Sequence, residues 1–166
     1  MQPLVSSVVS TVLSGSSVRL AVGCSVGADS LVLSSVPFSS LARVPVFSAF
    51  GPAGRGACFL SAASFVLAAA RGGASVRWWS GGGLGVPLSL RLAARSVALV
   101  RFLARCASPS GGSAHRGPSA LVCFLSSPKS RGSLLACRLA TRLGVTVFVI
   151  CVGLSPSRLR RLGLGS

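Results

Sequence analysis

The chain has 166 residues, enough for one domain, and its 51% hydrophobic content is ample for a core. Seventeen Lys+Arg stand against a single acid, Asp29, for a formal net charge of +16. With no Glu and one Asp, hydrolysis by a carboxylate pair is excluded; six cysteines with no CxxC pair and no Cys/His cluster do not make a zinc site; and no apolar stretch reaches the ~20 residues of a membrane-spanning helix.

Taken in order, residues 1–17 are Val- and Ser-rich and read as a poorly defined N-terminal segment, with a frayed strand near Val8 to Leu13. Val18 to Val22 reads as a short strand. Gly23-Cys24-Ser25-Val26-Gly27-Ala28-Asp29 follows as a Gly-bearing loop into an apolar run ending at Val36, with Asp29 in the first helical turn, where a carboxylate interacts well with the helix dipole. Val44 to Ser48 is the next strand, and residues 50–56 form a Gly/Pro turn. Ala57 to Ala70 predicts a nearly all-apolar helix whose lack of a polar face suggests deep burial against the sheet. Ser75 to Trp79 is a further strand, with Trp78 and Trp79 on opposite faces, and Gly81 to Gly83 form a loop suited to lying over a ligand.

Leu88 to Cys106 predicts the most basic helix. At 100° per residue its Arg91, Arg95, Arg101 and Arg105 fall within an arc of roughly 120°. Such a cationic stripe is either a solvated face or a surface that meets phosphates. Residues 107–118 form a Ser/Gly/Pro loop holding His115.

The clearest local pattern comes next. Ala120 to Leu125 is an apolar strand that stops at the turn Ser126 to Ser133. From Ser133 to Leu143 the spacing becomes that of a one-sided helix, with Arg138 and Arg142 turned outward and Gly144 placed as a left-handed C-terminal residue. Val145 to Cys151 is a second buried strand, completing a βαβ unit, and residues 154–166 form a basic tail. The alternation of strand and helix, with glycines after strands, predicts an α/β fold over residues 18–153. Its expected form is a three-layer Rossmann-like parallel sheet with helices on both faces and ligands at the carboxyl ends of the strands.

Two loops are the candidate sites. Gly23, Ser25 and Gly27 place main-chain N–H groups at one helix start, and Ser130, Arg131, Gly132 and Ser133 do so at another. Both settings suit an anion, most often phosphate. A Ser-capped helix without a ligand accounts for the second loop equally well, and a cap-region acid for Asp29.

Three segments carry a resemblance. Residues 23–29 are similar to the strand-terminal GGAxGAD of the Rossmann-like superfamily that includes DNA-processing protein A and the Lonely-guy hydrolases (SLOG-like domains). Arg95 falls where these proteins often carry an Arg-Asn pair, and Ser130-Arg131-Gly132-Ser133 is similar to their SxGT loop. Ser96 stands in place of the Asn, Cys24-Ser25 in place of Gly-Ala, and Ala136 where Lonely-guy hydrolases have the Glu they need for glycosidic cleavage. The resemblance implies a nucleotide or phosphate ligand held by the two loops. Arg95 and Arg131 would neutralise its charge, and Asp29 would orient a ribose hydroxyl or brace the loop.

The expectation is therefore a nucleotide or phosphate-ligand binding module rather than an enzyme, with no metal and no resident cofactor. Homo-oligomers remain open. The cysteines lie mostly in apolar runs, which favours a reducing, cytoplasmic setting. One alternative is binding of single-stranded DNA by Arg91, Arg95, Arg101 and Arg105. A second arises from composition. Glu, Asn and Tyr are missing, and the scarce types (Met, Gln, Asp, His, Lys, Ile and Thr) are those encoded only by codons containing adenine. An adenine-poor coding strand leaves Arg as nearly the only charge available, so the basicity need not be selected, and a spurious or antisense reading frame without function is the second alternative.

Overall fold

A computed structural model describes residues 2–15, 20–25, 27–57, 59–81, 85–107, 119–125 and 131–151. The expected loop over a ligand at Gly81 to Gly83, His115 and the tail 154–166 fall wholly or largely outside them, as does Ser130. The fold is mixed helix and strand. It divides into two compact units, Met1–Arg95 and Ser96–Ser166.

In the first unit, α1 (Gln2–Ser14) corrects the strand expected near Val8 to Leu13. Val5, Val9 and Leu13, each four residues on from the last, are its buried positions, so a helical stripe overrides the strand preference of a Val-rich run. The helix packs on α2 (Ala28–Ser35), where Ser6 Oγ lies 3.0 Å from Ser35 Oγ. Its last carbonyls are satisfied by Arg43, which ends a 3-10 turn at Phe38–Arg43. Nη1 donates to Gly15 O at 2.6 Å and Nη2 to Leu13 O at 2.8 Å, a cation placed at the negative end of the helix dipole.

Three parallel segments lie side by side in this unit. The first strand expected, 18–22, is represented among the described residues by one bridge, Val22 to Val46, with Val22 N–H donating to Pro45 O and Phe47 N–H to Val22 O. Val46 and Phe47 form β1 (Val46–Phe47), which pairs with β2 (Val76–Arg77) in the register Val46↔Val76 and Phe47↔Arg77. Both strands are shorter than predicted. Pro45 has no N–H to extend the ladder, and beyond Phe47 the Ser48 hydroxyl turns the chain by bonding Phe50. Trp78, just past β2, packs its ring on Phe50 with centroids 6.2 Å apart.

Val44, Val46, Phe47, Ala49 and Val66 form the centre of the core. The helix α3 (Leu60–Arg71) packs through one face, burying Ala62, Ala63, Val66 and Ala69, while Leu60 is 91% exposed, so the deep burial expected of so apolar a helix is confined to that face. The first two turns of α4 (Leu88–Ala107) belong to this unit and its remainder to the second.

In the second unit, β3 (Ala120–Leu125), α5 (Arg131–Arg142) and β4 (Thr146–Cys151) form the predicted βαβ unit. β3 and β4 pair in parallel through six residues from Ala120↔Thr146 to Leu125↔Cys151. Cys137 and Ala140 of α5 and Leu121 and Cys123 of β3 are buried. Gly144 adopts φ 70°, the left-handed geometry that costs other residues a Cβ clash. Its N–H bonds Thr141 O while Val145 N–H bonds Ala140 O, closing the helix end.

The α/β class thus stands, in the form of two two-stranded parallel sheets, the first widened by the Val22 bridge. A three-layer sheet is not seen among the described residues. No helix among them is long and apolar enough to cross a membrane.

Candidate functional site

The first candidate loop follows the Val22 bridge and leads into α2, so Gly23, Cys24 and Ser25 stand at the carboxyl end of a parallel segment. Asp29, in the first turn of α2, turns its carboxylate back over this loop, and Oδ2 accepts the Ser25 N–H at 2.9 Å. Arg95 approaches from α4, donating from Nη1 to the same Oδ2 at 3.1 Å and from Nη2 to Ser25 Oγ at 2.7 Å. One carboxylate oxygen therefore collects a main-chain donor and a guanidinium, a charge-assisted pair with the Arg95 side chain only 11% exposed.

Gly23 is what allows this approach. A Cβ there would collide with Arg95 Nη1 and Asp29 Oδ2 and would sit 2.9 Å from Arg95 Cζ. The Gly27 amide is also engaged: its N–H donates to Ser30 Oγ at 3.1 Å, and the Ser30 hydroxyl donates to Gly27 O at 2.8 Å. Of the two roles foreseen for Asp29, bracing the loop is the one seen. The corner already holds an anionic oxygen of its own chain, and the N–H groups of Ser25 and Gly27 are spent on side chains within the loop and α2. Arg95 Nε is buried and has no hydrogen-bond partner among the described residues.

Cys24 lies beneath the corner, 4% exposed, with Ala49 N–H directed at its Sγ over 3.2 Å. Burial pushes its thiol above the ordinary value, against the opposing pull of Arg95, so it stays protonated and unreactive at neutral pH. The crevice between Cys24, Ser25, Ser30, Leu33, Ala62, Phe65 and Val66 is too tight for a water.

Arg91, one turn before Arg95, requires a correction. The basic stripe predicted on α4 places it at a face open to nucleic acid, but the residue is 6% exposed. Nη1 donates to Ala49 O at 3.0 Å and Gly56 O at 2.8 Å, and Nε to Val86 O at 3.1 Å, so the guanidinium ties the loop after β1 to the start of α4. Three of its five N–H donors are thus spent on main-chain carbonyls. Arg95 is likewise turned inward, so only Arg101 and Arg105 of the predicted stripe are exposed.

The second candidate loop leads from β3 to α5. Ser130 lies outside the described residues; Arg131 and Gly132 begin α5 and are exposed, and Ser133 is half-buried with its carbonyl 4.0 Å from Cys123 Sγ. Among the described residues nothing lies within 4 Å of where a Gly132 Cβ would be at this helix start. Cys137 is buried beneath it, and its thiol is drawn below the ordinary value by a hydrogen bond from Cys123, against the effect of burial.

The structure thus brings Gly23, Ser25, Asp29 and Arg95 together as one cluster, with Gly27 alongside, and places Arg131, Gly132 and Ser133 on one turn of α5. Sequence reasoning missed the inward roles of Arg43 and Arg91, whose partners are carbonyls with no residue signature. Among the described residues no group of His, Cys, Asp or Glu is arranged to hold a metal ion. Comparison of the chain with protein-family models, with curated proteins and with solved structures finds no match.

Proposed function

We propose that this chain is a nucleotide or phosphate-ligand binding module resembling the DNA-processing protein A superfamily, built on a Rossmann-like sheet and working in the cytoplasm. The observation that carries the reading is the corner at Ser25. There a main-chain N–H and an arginine converge on one anionic oxygen at the carboxyl end of a parallel segment, where open α/β folds bind their ligands. Arg95 Nε is a donor the corner leaves unused. A ligand phosphate would exchange with the Asp29 carboxylate for Ser25 and Arg95, and Asp29 would then turn to a ribose hydroxyl. The start of α5 offers a second set of anion donors within its own unit, from Arg131 to Ser133.

Isothermal titration of the folded chain against nucleoside mono-, di- and triphosphates and inorganic phosphate tests the reading. Saturable binding of a phosphate-bearing ligand is expected. A tenfold loss in Ser25→Ala assigns it to the corner, and the same loss in Gly132→Glu assigns it to the start of α5. No binding by a folded sample, or binding unchanged in both variants, removes the reading.

A further inference from the structure

The outer face of α5 carries a row of arginines that neither the phosphate corner nor the predicted α4 stripe uses. Arg131, Arg138 and Arg142 are all exposed. At 100° per residue they fall within about 40° of one another around the helix, and at 1.5 Å per residue the row is about 16 Å long. No side-chain carboxylate is available to neutralise them, because Asp29, the chain's one acid, is paired with Arg95. Arg101 and Arg105, exposed on the α4 portion of the same unit, add to its positive field. The opposite side of α5 is spent inside the unit, where Cys137 and Ala140 are buried.

We infer that this face docks on the phosphate backbone of double-stranded nucleic acid, without reading its sequence. The argument is one of charge and shape. Guanidinium forks match phosphate oxygens, and three in line along a straight helix can follow successive phosphates. Helices that bind membrane surfaces insert a wide apolar face, whereas on α5 Cys137 and Ala140 are buried, Leu134 and Leu139 are half-buried, and Leu135, 38% exposed, is the one leucine of the helix that stands in solvent. Single-strand binding sites rely on aromatic platforms for the bases, and α5 has no aromatic residue. Duplex backbone remains as the partner whose recognition needs only what this face presents. The inference is independent of the phosphate corner; Arg131 is the one residue it shares with the anion donors at the start of α5, and Gly132 and Ser25 take no part in it.

The test is the salt dependence of duplex DNA binding by the full chain, for wild type, Arg138→Gln/Arg142→Gln and the charge-matched control Arg55→Gln/Arg71→Gln. Both pairs are exposed, so both variants keep the wild-type melt. Each phosphate contact contributes about −0.9 to the slope of log K against log salt, so the α5 pair should reduce its magnitude by about 2 and the control by nothing. An equal drop in both variants would show a net-charge effect and overturn the proposal. So would an unchanged slope in the α5 pair, tighter binding to a single strand of the same length, or tighter binding to phosphatidylglycerol vesicles.

Discussion

In the first unit, Arg43, Arg91 and Arg95 aim their guanidinium groups at oxygens of their own chain, whereas Arg131, Arg138 and Arg142 on α5 stand in solvent. Both sets arise from the same Arg-rich composition, so composition does not decide which role an arginine takes. What separates them is local supply. The first unit has carbonyls left over at the end of α1, Leu13 and Gly15, and in loops, Ala49, Gly56 and Val86, and a planar five-donor cation can collect several of them at once. In the second unit β3 and β4 pair through six residues and the C-terminus of α5 closes on its own amides, so these elements, among the described residues, satisfy their carbonyls from within.

If that contrast is right, the largest effect comes from Arg91→Ala. It leaves the carbonyls of Ala49, Gly56 and Val86 without their donor, and a loss of about 3 kcal/mol in unfolding free energy is expected. Chemical denaturation followed by circular dichroism measures it. Arg91→Lys should recover only part, since an ammonium cannot span the same three acceptors. The wild-type melt in the same series also bears on the alternative of a functionless reading frame, which predicts no cooperative transition.

Gly23→Ala sharpens the comparison at the corner. The added methyl group collides with Arg95 Nη1 and Asp29 Oδ2, so the two must part or the loop must shift, at a cost of about 2 kcal/mol. Gly132→Ala, at the equivalent loop of the other unit, meets open space and should change stability by less than about 0.5 kcal/mol. Equal effects from the two substitutions would mean that the Ser25, Asp29 and Arg95 contacts do not hold the first loop.

The same contrast governs what the sequence reveals. In the second unit the signals are local: β3 is observed at the residues predicted, β4 begins one residue later, α5 begins two residues earlier, and Gly144 caps the helix as its position implies. In the first unit the decisive contacts join distant segments, such as Arg43 with Gly15 or Arg91 with Ala49, and no short window contains both partners. The α4 stripe shows why. Helical periodicity reports the angle of a residue around the axis but not its position along it. Arg91 and Arg105 share a side, yet the first is covered by the loop after β1 and the second is exposed. The corner was legible in its members, Gly23, Ser25, Asp29 and Arg95, because a Gly-bearing loop at a helix start, the chain's one acid and an arginine on the basic helix stand out by residue type. That Asp29 itself would occupy the anion position was not, since a motif records which residues are present and not which of them satisfy one another.

The smallest expected effect on stability belongs to the exposed set, and it is the most discriminating. Arg138→Gln/Arg142→Gln removes two charges from a chain of net charge +16, which relieves self-repulsion slightly while taking nothing from the packing of α5. Arg142, in the last turn, gives up a favourable interaction with the helix dipole worth a few tenths of a kcal/mol, which offsets that relief. The unfolding free energy should therefore stay within about 0.5 kcal/mol of wild type, against the loss expected for Arg91→Ala. A fall of several kcal/mol in the α5 pair would show that these arginines hold internal partners after all, and would erase the distinction between the two units.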